Sequence, residues 1–304
     1  MREKMKQIKK YDEFYMKPAI FCEKTGFKGR NDIVLYYDML NKITDYSEIN
    51  KAIKENGLTG MAIQRGFDAC WDESKKKEFF DNVNIRGITD FHASDVDYEQ
   101  VIRLCPNLRG IGLDLKANQI VDVSQSTKLE YLAIAGFNGF NVKGIKNGLS
   151  IHFWGKQGSV FAFPDSLPRR LRSIGFTYYK TIDLNSLNLE YLEGFNSSYG
   201  GKSIIASADN AFVPYIKSID IAHGDCSFLT PSFISKAKLL KVLMIENCTP
   251  IISLKGISSL EHVSITDTDI LDKDLTPLKS SKYVNVTDKK GFNIKNKDLP
   301  KHNR

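Results

Sequence analysis

Leu240-Lys-Val-Leu-Met-Ile245 and Leu260-Glu-His-Val-Ser-Ile265 carry one pattern, L-x-x-L-x-L, at a spacing of 20 residues. Ser281-Lys-Tyr-Val-Asn-Val286 repeats it 21 residues later, with a polar residue at the first position. A β-strand alternates its side chains, so the fourth and sixth positions share one face, and the third, fifth and seventh share the other. A unit of about 21 residues cannot bury its apolar face alone, so it has to stack on copies of itself. This stretch therefore predicts a solenoid of parallel strands.

The same pattern occurs in the preceding part of the chain. Its earlier units begin at Leu58, Ile85, Leu108, Leu129, Gly148, Leu171, Leu189 and Ile216. Eleven units thus begin between residues 58 and 281, which gives a mean spacing of roughly 22 residues. Three units are weak, because Asp90 and Gly194 stand at sixth positions and Gly148 stands at a first position.

The two ends of the chain do not follow the repeat. We interpret residues 1–57 as an N-terminal cap, with a strand at 32–37 and a helix from Asp45 to Gly57. Residues 58–288 form the predicted array, and 289–304 a basic C-terminal tail. Within the array, helices are predicted over 72–82, over 95–104 with Ser94 as its cap, and from Thr230-Pro231 onwards.

The net charge of +7 comes from the two ends of the chain. Residues 1–10 carry +4 and residues 289–304 carry +5, so 11–288 carry −2. Blocks of charge at termini are usually solvated tails, although they also allow binding to nucleic acid or to an anionic surface. No run of about 18 apolar residues occurs, so no membrane contact is expected. The charged start leads to no apolar h-region, so we expect a cytoplasmic protein.

Cysteine usage indicates a reducing compartment. The five cysteines are odd in number, lie far apart and include no C-x-x-C pair: Cys22, Cys70, Cys105, Cys226 and Cys248. This arrangement favours buried thiols over a disulfide framework or a zinc site.

The sequence resembles the bacterial, internalin-like leucine-rich repeat. The segments that carry the resemblance are Asp274-Leu-Thr-Pro-Leu278 before Tyr283-Val-Asn-Val286, and Ile252 to Ile265. The resemblance covers residues 58–288 and implies an α/β solenoid with a concave parallel sheet. Short helices, 3-10 turns or extended segments would form its convex side. The asparagine expected three residues after the last strand leucine is replaced, for instance by Cys248 and Thr268. The backbone amides that it would satisfy therefore need other partners.

Aromatic and acidic residues gather on the predicted exposed face from the fifth unit onwards. The predicted partner-binding residues are His152, Trp154, Tyr178, Tyr191, Glu193, Phe195, Asp220, Glu246, His262 and Tyr283. Exposed aromatic residues dominate the binding energy of protein interfaces, and carboxylates steer a basic partner. Alternatively, Trp154 and Phe195 fold back onto neighbouring loops and the acids are ordinary solubilising charges. A register error of one residue would also turn these side chains inward.

The sequence predicts no catalytic residue, metal site or cofactor. Glu193 and Asp220 resemble a carboxylate pair, but adjacent strands often place acids together without chemistry. His223-Gly-Asp-Cys226 has no second cluster of His or Cys to complete a metal site. We therefore expect a monomeric scaffold that binds a protein, for example an intracellular inhibitor or immunity-type protein. An extracellular adhesion or surface-recognition module is the first alternative, and binding of nucleic acid or an anionic surface through the basic termini is the second.

Overall fold

A computed structural model describes the chain as parallel strands joined by turns and short helices. It describes the backbone of three strands at 32–36, 60–64 and 85–89, and residues 97–116, 119–136, 142–160, 167–257 and 260–301. The chain divides into two compact units, the first ending at Ile151 and the second starting at His152. The prediction of a parallel-strand solenoid is confirmed in both units.

The first unit stacks its strands in the order in which the chain supplies them. Its strands are β1 (Asp32–Tyr36), β2 (Gly60–Gln64), β3 (Ile85–Thr89), β4 (Gly110–Leu115), β5 (Val121–Asp122), β6 (Tyr131–Gly136) and β7 (Val142–Lys143). β1 to β4 and β6 pair in parallel, while β5 and β7 form a separate two-stranded ladder. Ile111 pairs with Leu132 and Leu113 with Ile134, so the predicted fourth and sixth positions lie in the core.

One helix is described in the first unit, and it is shorter than predicted. Helix α1 runs from Tyr98 to Leu104, and the side chain of Asp97 caps it by accepting from the Gln100 N–H. The predicted cap Ser94 and the helices predicted at 45–57 and 72–82 lie outside the described residues.

The second unit has longer strands at its start and regular five-residue strands towards its end. Strand β8 (Ser150–Val160) has its first two residues in the first unit and the rest in the second. The other elements of the second unit are β9 (Arg170–Asp183), β10 (Tyr191–Ser198), β11 (Ser203–Ile205), β12 (Ser218–Ala222), α2 (Pro231–Lys236), β13 (Val242–Glu246), β14 (His262–Thr266) and β15 (Tyr283–Val286). Strands β9, β10 and β12 to β15 pair in parallel, and β11 pairs with the end of β9. Thr230 caps α2 and Pro231 starts it, as predicted. No helix in the described part is long and apolar enough to cross a bilayer.

The register of the unit predicted at Leu189 is wrong by three residues. Phe195 pairs with Ile174 and with Ile219, which are fourth positions, so Leu192 is the first position of this unit. Phe195 is 2% exposed and packs against Phe176 and Phe228. Because alternate residues of a strand face opposite sides, a shift by three residues moves Phe195 from the predicted exposed side to the core side. The observed register places Phe195 in the core, whereas the predicted register places Gly194 there.

The eighth residue of each unit, from the Leu171 unit to the Leu260 unit, has a left-handed backbone and forms a corner. Tyr178 lies within β9, and the other four corner residues directly follow β10, β12, β13 and β14. Their φ values lie between 49° and 69°, and the residues are Tyr178, Tyr199, His223, Asn247 and Asp267. This conformation is unfavourable by roughly 1–2 kcal/mol for a residue with a Cβ. At three corners the backbone N–H reaches the next turn: Tyr199 donates to Ala222 O at 3.1 Å, His223 to Glu246 O at 2.8 Å and Asn247 to Thr266 O at 2.9 Å. These hydrogen bonds offset the strain.

Thiol and hydroxyl groups replace the missing asparagines. Cys248 Sγ accepts the Gly224 N–H at 3.4 Å, and Thr268 Oγ1 accepts the Cys248 N–H at 2.9 Å. Thr249 Oγ1 accepts the Cys226 N–H at 2.7 Å. Each interaction joins one turn to the next, so backbone amides near the corners are satisfied without an asparagine.

The C-terminal segment covers the free edge of β15. Val284 N–H donates to Pro300 O at 2.8 Å, and Val286 N–H donates to Asn296 Oδ1 at 3.1 Å. Leu299 is 3% exposed. The segment that the charge pattern suggests as a solvated tail thus contributes to the core and shields a strand edge that would otherwise present unpaired amides.

Candidate binding face

The face of the second unit opposite to its core is nearly free of formal charge. We give the name exposed face to the third, fifth and seventh positions of the strands, all of which are exposed or half-buried except the buried Gly175, Thr177 and Gly194: His152, Trp154, Ser173, Gly175, Thr177, Gly194, Asn196, Ser198, Ser218, Asp220, Ala222, Val242, Met244, Glu246, His262, Ser264, Thr266, Tyr283, Asn285 and Thr287. Asp, Glu, Lys and Arg make up 26% of the chain but only two of these 20 residues, Asp220 and Glu246. Depletion of charge is characteristic of the centre of protein interfaces.

A row of aromatic rings borders the exposed face where the strands end. We call Trp154, Tyr178, Tyr199 and His223 the aromatic ridge. Successive ring centroids are 6.4, 5.8 and 5.0 Å apart, and the Tyr199 and His223 rings are stacked. Tyr178 is 38% exposed and Tyr199 is 58% exposed. The left-handed corners hold the last three rings outside the core.

The sequence predicts two of the four residues of the aromatic ridge. Trp154 and Tyr178 were predicted site residues, and their rings come together. Tyr199 and His223 are not among the predicted residues, because the predicted register of the Leu189 unit places Tyr199 at an eleventh position, and the sequence pattern presents His223 only as a possible metal ligand. Tyr199 and His223 each occupy the eighth position of their unit, which is also the position of Tyr178 in its own unit. That shared position is the signal that would have found them.

His152 belongs to a row of hydrogen-bonded side chains next to the aromatic ridge. Its Nε2 lies 2.8 Å from Thr177 Oγ1, which lies 3.0 Å from Ser198 Oγ. Burial lowers the pKa of His152 to about 4, so the imidazole is neutral at pH 7. Gly175 separates His152 from Asn196, and a Cβ at this glycine would overlap both side chains. The row is therefore polar but uncharged.

Asp220 and Glu246 make the middle of the exposed face negative. Asp220 pairs in register with Met244, and Glu246 lies two residues further along the same strand. Burial of the Asp220 carboxyl and then the charge of Glu246 raise the pKa of Asp220. Two acids that repel each other favour a cationic group between or beside them.

Tyr191 and Glu193 lie at the opposite end of the strands from the ridge. The Tyr191 hydroxyl donates to Glu193, and Lys217 Nζ is 2.7 Å from Glu193 Oε1. Burial acts to raise the pKa of Glu193, but the hydrogen bonds from Lys217 and Tyr191 outweigh it, and the pKa is lowered. Glu193 is thus paired with a lysine, whereas Asp220 is next to Glu246, and the two carboxylates have different neighbours.

The same end of the strands carries further ion pairs. Lys241 and Lys282 lie 2.9 and 2.7 Å from the two carboxylate oxygens of Glu261. Together they lower the pKa of Glu261 to about 2. We call this row, with Glu193 and Lys217, the ion-pair edge. Its three lysines and two glutamates leave a net charge of +1, so this edge is close to neutral.

The last three predicted residues lie in two different places. His262 and Tyr283 are neighbours on β14 and β15 with ring centroids 6.3 Å apart, at the far end of the exposed face. Phe195 lies in the core and takes no part in the face. The ten predicted residues therefore occupy the ridge region, the acidic centre, the ion-pair edge and the His262–Tyr283 contact, with Phe195 misplaced.

In the described residues, no group of three or more His, Cys, Asp or Glu side chains is arranged to hold a metal ion. No protein-family model matches the sequence, and no curated protein and no solved structure matches the chain.

Proposed function

We propose that this chain is a non-catalytic binding protein that holds a protein partner against the exposed face of its second unit. The observation that carries the proposal is the charge-depleted face between the aromatic ridge and the ion-pair edge. Such a surface can be desolvated at small cost, because few of its groups are strongly hydrated.

The aromatic ridge would anchor the partner. The Tyr199 and His223 rings stack, and Tyr178, Tyr199 and His223 stand on left-handed corners, so ordering these rings on binding loses little conformational entropy. Exposed aromatic side chains of this kind are frequent hot spots, with about 2 kcal/mol or more lost when one is truncated.

The acidic centre would select the partner's charge. Asp220 and Glu246 are the only formal charges on the face, and both are negative. A partner with a lysine or arginine at its contact surface gains from them, whereas a nucleic acid backbone is repelled.

The finer part of the proposal rests on the sequence resemblance. The repeats would be of the leucine-rich, bacterial internalin-like type, and the chain would act as a monomer in the cytoplasm as an inhibitor or immunity-type protein. These statements are supported by the L-x-x-L-x-L units and by the resemblance that these units carry.

The test is capture of proteins from a lysate of the source organism on three immobilised baits. They are the wild type, the double variant Asp220→Lys/Glu246→Lys, and the control Asp298→Lys, which reverses the charge of an exposed acid outside the face. We expect one protein to be retained by the wild type and by the control and lost by the double variant. With the isolated partner, calorimetry should show affinity weaker by on the order of 100-fold for the double variant. Equal retention by all three baits would refute binding through this face.

A further inference from the structure

Two cysteines lie side by side on consecutive turns, just beyond the ends of β12 and β13. Thr249 N–H donates to Gly224 O at 3.0 Å, and Cys226 N–H donates to Thr249 Oγ1 at 2.7 Å. These two bonds fix the turn that carries Cys226 against the turn that carries Cys248. Cys226 and Cys248 are therefore neighbours on adjacent turns.

The two sulfurs have different surroundings. Cys248 is half-buried and follows the exposed corner residue Asn247, whereas Cys226 is fully buried. Cys248 Sγ accepts the Gly224 N–H at 3.4 Å, and the carbonyl oxygens of Glu246 and Ile221 lie 3.2 and 3.4 Å from it as acceptors of its S–H. The sulfur of Cys248 is therefore partly exposed with one N–H directed at it, and Cys226 lies in the interior.

This arrangement separates the acidities of the two thiols. The hydrogen bond from Cys226 and the Gly224 N–H outweigh burial and lower the pKa of Cys248 to about 7. The bond to Cys248, and then burial, raise the pKa of Cys226. Cys248 is thus the thiol of the pair that loses its proton at the lower pH. Cys105, in contrast, is buried in the first unit and its pKa is raised by burial.

We propose that Cys226 and Cys248 form a redox-active dithiol that reacts with low-molecular-mass disulfides, with Cys248 as the nucleophile and Cys226 as the resolving thiol. An outer nucleophile with a buried partner in contact is the arrangement that lets a mixed disulfide form and then be displaced.

The reaction has two displacement steps. The Cys248 thiolate attacks one sulfur of the small disulfide, so that a Cys248–S–S–R bond forms, the S–S bond of the reagent breaks and one R–S⁻ leaves. Cys226 then loses its proton to the released thiolate and attacks Cys248 Sγ, which expels the second R–S⁻. Two protein thiols are oxidised to one disulfide, and the reagent is reduced to two R–SH that carry the two protons.

The product would join two consecutive turns beside the aromatic ridge. Cys226 and Cys248 each lie within three residues of a corner, and the two corners are linked by the contact of His223 Nδ1 with Asn247 Nδ2 at 2.9 Å. The dithiol is independent of the proposed binding function, since it uses no residue of the exposed face.

Glutathione disulfide is the probe. The full-length reduced protein is incubated with it at pH 7, free thiols are blocked, and peptides are mapped by mass spectrometry. We expect a Cys226–Cys248 cross-link, reversed by reduced glutathione, while Cys105 stays free. In Cys226→Ser the reaction should stop at a glutathione adduct on Cys248. Cys226→Ala should give the same adduct. Cys248→Ser should give neither product.

A pH profile provides a second readout. The rate of alkylation of Cys248 by iodoacetamide in Cys226-containing protein should level off at a lower pH than the rate for a reference cysteine peptide. A reference cysteine peptide should still rise about threefold from pH 8 to 9. The proposal is overturned if the mapped product contains no Cys226–Cys248 bond, or if the Cys226 variants accumulate no adduct on Cys248.

Discussion

Replacement of Phe195 by alanine distinguishes the register of the structure from the register that the sequence pattern suggests. In the structure Phe195 is 2% exposed and contacts the rings of Phe176 and Phe228, at centroid distances of 6.3 and 6.1 Å. On the predicted exposed face the same substitution would leave stability unchanged and would reduce only binding. Phe195→Ala is therefore expected to destabilise the second unit.

The size of the effect follows from burial and from the cavity left behind. Phenylalanine-to-alanine changes in cores cost about 3–5 kcal/mol, of which about 1.5–3 kcal/mol is the loss of transfer free energy. Tyr199→Ala is the matched control, since it removes an aromatic ring four residues along the chain that is 58% exposed. It loses the stacking on His223, worth about 0.5–1.5 kcal/mol.

Urea unfolding followed by circular dichroism measures both variants. With a urea m-value of about 2.5 kcal/mol/M, a loss of about 4 kcal/mol lowers the midpoint by about 1.6 M, and the control should lose less than about 0.6 M. Equal midpoints for Phe195→Ala and wild type would refute the assignment of Phe195 to the core and, with it, the pairing of Phe195 with Ile174 and Ile219.

Three further outcomes are expected. The Glu261 carboxylate is stabilised in the folded state, so its contribution to stability is complete above pH 4.3 and is lost as the pH falls towards 2. Acid titration of Glu261→Gln should show a shallower loss of stability in that window than wild type, and parallel curves would contradict the ion pairs. His152 has a depressed pKa, so stability present above pH 6.5 is lost as the pH falls through about 4; its NMR titration should have a midpoint below pH 5, and a midpoint near 6.5 would show an open imidazole. Thr268→Val keeps the shape of the side chain but removes the acceptor of the Cys248 N–H, and should cost about 1–3 kcal/mol in urea unfolding, whereas an unchanged midpoint would mean that another acceptor takes its place.

The fold of the last four strands was predictable from local pattern. Ile219, Leu243, Val263 and Val284 stand in register across β12 to β15, as their common fourth position implies. Stacked repeats leave little freedom here, because each strand must bury its fourth and sixth side chains on the same side as its neighbours do.

The pattern predicts the wrong register where two leucines, three residues apart, both fit the first position of a unit. Leu189 and Leu192 both fit the start of a unit, and both are buried in the structure. Only the stacking of Phe195 between Ile174 and Ile219 decides between them. The choice depends on the neighbouring turns and is not encoded in the eight residues of the strand itself.

The candidate site shows the same division. The pattern identified a face with Trp154, Asp220 and Glu246 on it, because alternation along a strand assigns each residue to one side. It did not identify Tyr199, since a left-handed corner lies outside the strand and its side-chain direction depends on where the next turn accepts its N–H.

The sequence by itself determined the repeat length, the parallel stacking and which side of β12 to β15 faces the core, since these follow from the spacing of apolar residues within one unit. Only the tertiary structure decided the register at Leu192, the aromatic ridge at the corners and the contact of Cys226 with Cys248. Each of these joins residues about 20 positions apart on adjacent turns, and such contacts exist only once the turns are packed together.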